Sequence, residues 1–163
     1  MILAWDHISA RFLRRLKTHQ TAADQIESIR LLAIHDAVIS ILGHGQGFIF
    51  HENSTGTSLA AALAASAQAS HDILASAFDA EDDHNHLADA LAESLSLISD
   101  QREKAVGAAT GAASAAAFVR IFGSKSLSLR QSLPSTTIHG ARVVHPQAHE
   151  TVTPGIAGWR RSA

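Results

Sequence analysis

The chain has 163 residues, a size at which a single domain buries about 70% of the surface its unfolded form exposes. Hydrophobic residues make up 46% and charged residues 17%, with alanine supplying much of the apolar share and aromatics only 5%, so a core must be built from closely packed small side chains. A formal net charge of -2 gives no case for nucleic acid or an anionic membrane as partner, and the absence of cysteine excludes disulfides, thiolate nucleophiles and Cys-ligated zinc.

In chain order, the opening MILAWDHISARFLRRLK places its positive charges after a very short apolar start, the reverse of a secretory signal, so a cytoplasmic location is the default expectation. Residues 6–17 read as a first helix with Ile8, Phe12 and Leu16 on one stripe and Asp6 as its N-cap. The second helix, 24–42, is apolar almost all round, which predicts a helix enclosed by others, and the glycines at 43, 45 and 47 stop it. A loop through FIFHENSTGT follows.

A third helix is expected over 58–78, with Leu59, Leu63, Ala67, Leu74 and Phe78 on one arc. A fourth over 80–98 carries Leu87, Leu91, Leu95 and Ile98 on one side, and Asp79 is a good cap before it. The fifth begins at SDQREKAV, where Asp100 and Glu103 have capping-box spacing, and runs to Gly123. Gly107 and Gly111, four apart, predict a tight helix crossing; the uncharged run at 105–119 falls short of the ~20 apolar residues a bilayer span needs, which predicts a soluble protein with no membrane partner.

From Ser124 the pattern changes. Three prolines, many Ser and Thr residues and no sustained period mark an irregular tail, so the domain reading is a helical bundle over 1–123 and a tail over 124–163. Trp159 is an unusual residue for a solvated tail, and Trp159 with Arg160 are candidates for docking on a partner surface.

Polar groups in the bundle invite chemical readings. His35 and Asp36 sit in the second helix within IRLLAIHDAVISIL; consecutive helical positions diverge by about 100°, so the two are expected to find separate partners and to serve as structural polar groups that anchor a loop. The stretch DAEDDHNH at 79–86 gathers carboxylates and imidazoles, but His84 and His86 lie two apart, where helical zinc pairs are four apart, and no metal is expected. No G-x-S-x-G elbow, P-loop or G-x-G-x-x-G is present, so no nucleophilic triad or nucleotide cradle is indicated.

The segments ILAWDHISARF, RLLAIHDAVISI, the alanine-rich helix pair and TPGIAGWRR, in that order, resemble the N-terminal helical half of the vanadium-dependent haloperoxidase and type-two phosphatidic acid phosphatase superfamily. The resemblance implies an oxyanion pocket built by a C-terminal half, from a Lys/Arg segment followed by Pro, a Pro-Ser-Gly-His segment, and an Arg with a His six residues on. The chain departs from that set: Pro134-Ser135 is not followed directly by Gly-His, His139-Gly140 comes later in reverse order, and the position six after Arg142 is Ala148, between His145 and His149.

The expectation is therefore an all-α bundle of about five helices with an enclosed second helix and an irregular C-terminal tail. No catalytic, vanadate-binding or metal-binding residues are assigned in this chain, and vanadate enters only if a catalytic half completes it. The reading is a scaffold part of such an enzyme, split or truncated, with a catalytic-half polypeptide or a homo-oligomer as its expected partner. The alternative is a stand-alone helical interaction module that oligomerises through its small-residue faces.

Overall fold

The computed structural model describes residues 2–16, 19–52 and 58–123. Five α-helices make up the described residues: α1 (Ile2–Leu13), α2 (Gln20–Leu42), α3 (Leu59–Ala77), α4 (Glu81–Ser96) and α5 (Gln101–Phe118). A 3-10 turn, Arg14–Leu16, ends α1, and a π turn, Val119–Gly123, ends α5. No strand occurs among the described residues, so the fold class is all-α. The tail expected over 124–163 lies outside the described residues.

The deepest position belongs to α3, not α2. Its alanines and serines let α1, α2, α4 and α5 all approach, and ten of its nineteen residues are buried. Helix α2 packs against α1, α3 and α5 but keeps an outer side, with Leu31 50% and Leu42 39% exposed. Apolar residues around a helix mark all-round burial less well than side-chain size does, because only small residues permit neighbours on every side.

The α3–α5 crossing is set by glycine. A Cβ at Gly107 would press into the Ala61 carbonyl oxygen, and one at Gly111 into that of Ala65, so only glycine lets the two backbones meet. The larger side chains gather in two clusters: Trp5, Phe12, Leu74, Phe78 and Leu87 form one, with Phe12 and Phe78 edge to face at 5.2 Å, and Ile73 and Phe118 belong to another.

Helix ends depart from expectation in three places. Asp6 lies inside α1 instead of capping it, because the apolar residues before it join the helix and its carboxylate pairs with Arg30. The cap residue of α4 is Ala80, with Asp79 one position earlier and Glu81, Asp82 and Asp83 in the first turn, where they complement the helix dipole. Ser58 caps α3 by accepting from Ala61 N–H, and Asp100 caps α5 by accepting from Arg102 and Glu103 N–H. Glu103 does not close a capping box; its carboxylate accepts from the Ser58 hydroxyl, tying the two helix starts together.

By length and composition alone, the helix through Gln101–Gly123 is apolar enough to cross a membrane, with a mean hydropathy of 1.5 over its best window. The uncharged run read from the sequence is shorter because Arg102, Glu103 and Lys104 begin the helix and Arg120 interrupts its end.

Candidate functional site

His35 and Asp36, singled out in the sequence, lie on α2, and the structure gives each a definite environment. Asp36 is fully buried and faces the 43–52 loop. Its Oδ1 accepts from Phe48 N–H at 2.8 Å, and its Oδ2 from Ile49 N–H at 2.8 Å and Phe50 N–H at 3.0 Å. Burial by itself would raise this carboxyl; the loop N–H donors and His35 outweigh it and hold Asp36 below the usual carboxylate range. Three further features fix the loop. Gly43 ends α2 in the left-handed region at φ 68°. Gly47 passes so close to the Asp36 carboxylate that a Cβ there would lie 3.2 Å from its carbon. The Ser40 hydroxyl donates to the Glu52 carbonyl.

His35 and Asp36 do pair, against the expectation from helical geometry. Nδ1 of His35 lies 3.1 Å from Oδ1 of Asp36, and since a carboxylate only accepts, the ring proton sits on Nδ1. The 100° divergence applies to Cα–Cβ directions; an imidazole is long enough to fold back along the helix surface to its neighbour. His71 and Asp72 on α3 repeat the arrangement at 2.7 Å, with Gln68 Nε2 also donating to Asp72 at 3.0 Å. The outer side of the His35 ring meets Phe48, centroid to centroid at 5.1 Å.

Two turns earlier on α2, Arg30 is 1% exposed and forms a network that sequence reasoning did not identify. It donates to Glu27 from Nε at 3.0 Å and from Nη2 at 2.6 Å, to Asp6 Oδ1 at 2.8 Å, and to Ser70 Oγ at 3.3 Å. Ser9 completes the set by donating to Glu27. Burial would lower the Arg30 guanidinium, but its bonds to Glu27 and Asp6 raise it above its ordinary value. Burial would likewise raise Glu27, and Arg30 with Ser9 bring it below its ordinary value. The i, i+3 spacing of Glu27 and Arg30 was the available signal; nothing local announces Asp6 or Ser70.

The acidic stretch at 79–86 is divided by the fold. Asp83 turns inward to pair with Arg15, whose guanidinium also lies 5.8 Å from the Phe12 ring centroid and 5.9 Å from that of Phe78, while His84 and His86 are exposed. Among the described residues no three His, Asp or Glu side chains come together as a metal ion would need. A surface cleft of about 500 Å³ lies between the Asp36-held loop and the end of α5, floored by Ile49, Phe50 and alanines of α5, with His51, Glu52 and Arg120 as its polar lining. One guanidinium and one imidazole beside a carboxylate do not make the multi-donor cradle a tetrahedral oxyanion requires. Trp159, Arg160, Pro134, Ser135, His139, Arg142, His145 and His149 lie outside the described residues.

No protein-family model matches the chain, and neither a curated protein nor a solved structure matches it.

Proposed function

We propose that the bundle is the scaffold part of a vanadium haloperoxidase-like or acid phosphatase-like protein, and that the oxyanion chemistry belongs to a catalytic-half partner. The observation that carries this reading is the state of the α2 ionic groups. Both Asp36 oxygens are occupied by loop N–H groups and His35, and the Arg30 guanidinium is committed to two carboxylates and a serine. Groups so engaged hold a framework rigid; they offer a substrate neither a free lone pair nor a free charge. The order of segments resembling the superfamily supports the same reading.

The test is titration of the full chain with orthovanadate and with inorganic phosphate, followed by calorimetry and vanadium NMR. No saturable binding is expected from the chain alone. Co-expression with a polypeptide bearing the Pro-Ser-Gly-His and Arg/His segments is expected to give a complex that binds vanadate. Saturable binding by the chain alone, abolished by Arg142→Ala, overturns the proposal.

A further inference from the structure

The outer side of α2 has a spacing that its inner side does not explain. Leu31, His35, Val38 and Leu42 follow one another at intervals of four, three and four residues, the spacing of a two-stranded coiled-coil seam. Successive rotations of about 100° keep all four within a 60° arc. Leu31, His35 and Leu42 are exposed, and Val38 is half-buried, with part of its side chain packed against the cluster of Ala37, Ile41 and Ala61. Phe48 stands beside the seam, 64% exposed, and its backbone is held by the Asp36 bond while its ring rests on His35. A large aromatic side chain fixed in that position costs little further ordering when it is covered.

We propose that this seam receives the same seam of a second copy of the chain, antiparallel, about a two-fold axis passing between positions 36 and 37. The proposal stands independently of the scaffold reading. Two observations select a second copy. The four-three-four spacing reads the same in both directions, so the antiparallel register matches Leu31 with the partner's Leu42 and His35 with the partner's Val38 at both ends of the seam. Charge points the same way. Residues 1–123 carry fourteen Asp and Glu against eight Lys and Arg, a net negative charge that disfavours contact between copies through charged faces. From position 31 to 50 the only fixed charge is Asp36, which is buried, and an isologous contact there sets no like charges opposite each other. The glycine face of α5 is not available for this role, because it is spent within the bundle against α3.

A seam about 16 Å long gives less than the ~800 Å² per partner of a standard stable complex, so the expected dimer is concentration-dependent, with a dissociation constant of roughly ten to a few hundred micromolar. Sedimentation equilibrium of the full chain across that range is expected to show a monomer–dimer equilibrium. The double variant Leu31→Glu, Leu42→Glu is expected to weaken it at least about tenfold with an unchanged circular dichroism spectrum, since both positions are solvent-facing. The register is read separately by cysteine trapping, which the cysteine-free chain permits. Oxidation of Leu31→Cys mixed with Leu42→Cys is expected to give a disulfide-linked dimer. Either variant alone is not, because its two copies of the cysteine lie about 16 Å apart, beyond disulfide reach. A chain that stays monomeric throughout, a dimer indifferent to the glutamates, or self-linking of Leu31→Cys overturns the proposal.

Discussion

Arg30 and Asp36 are both buried, both charged and six residues apart on α2, yet the fold satisfies them in opposite ways. Asp36 is met by backbone N–H groups of one short loop, which are neutral, fixed dipoles that follow it within fourteen residues of sequence. Arg30 is met by carboxylates of α1 and α2 that keep part of their surface in water, and by the buried Ser70 hydroxyl of α3. The difference teaches where rigidity comes from. A carboxylate bound to backbone amides organises the chain around it, whereas a guanidinium bound to side chains joins elements that are already formed.

Removing Asp36 is accordingly the more damaging change. Asp36→Ala leaves the loop N–H groups without acceptors, one of them on the buried Phe50, and is expected to lower stability by about 3 kcal/mol. Urea unfolding gives the energy, and hydrogen exchange gives the location, with protection lost at Phe48, Ile49 and Phe50. The pH dependence has a fixed sign. Because the folded Asp36 carboxyl lies below its ordinary value, its contribution is complete above the ordinary carboxylate range and is lost as pH falls through the folded value. The variant should therefore show a shallower acid limb than the wild type. An equal acid limb in both proteins would mean that the loop amides do not hold the charged form.

Arg30→Met tests the other half of the comparison. The substitution leaves Glu27 and Asp6 without their cation, but their side chains are 32% and 48% exposed, so water recovers much of the loss. A destabilisation of about 2 kcal/mol is expected, smaller than the cost of orphaning a fully buried ion. Combining Arg30→Met with Glu27→Gln should cost less than the two single changes added together, a coupling that a double-mutant cycle in urea measures. Strict additivity would break the comparison by showing that Arg30 acts through packing alone.

The same contrast explains what the sequence disclosed. Short-range features were legible: five helical segments, the stop at Gly43, the Asp100 cap and the glycine pair of α5 all depend on residues within a turn or two of each other. The pairing of His35 with Asp36 was missed because direction along a helix was weighed without the reach of the ring. The Arg30 network was missed for a deeper reason. Asp6 and Ser70 are 24 and 40 residues from Arg30, and nothing in the local pattern says which helices will bring them together. Nor did pattern alone place α3 at the centre, because alanine is weakly apolar and its value lies in what its small size lets approach.

Between the two charged residues, α2 is touched at a third point that isolates the neutral case. The buried Ser114 hydroxyl on α5 donates to the Ala33 carbonyl at 2.8 Å. That carbonyl lies within the helix and already has a place in its hydrogen-bond ladder, so the serine supplies a second bond to an acceptor with two lone pairs. Ser114→Ala removes donor and hydroxyl together and strands no charge and no amide. The expected cost is about 1 kcal/mol, the ordinary net value of one hydrogen bond, with the hydrogen-exchange pattern of the 43–52 loop unchanged. A loss as large as that of Asp36→Ala would show that the α2–α5 seam, and not the loop clamp, sets the rigidity of α2.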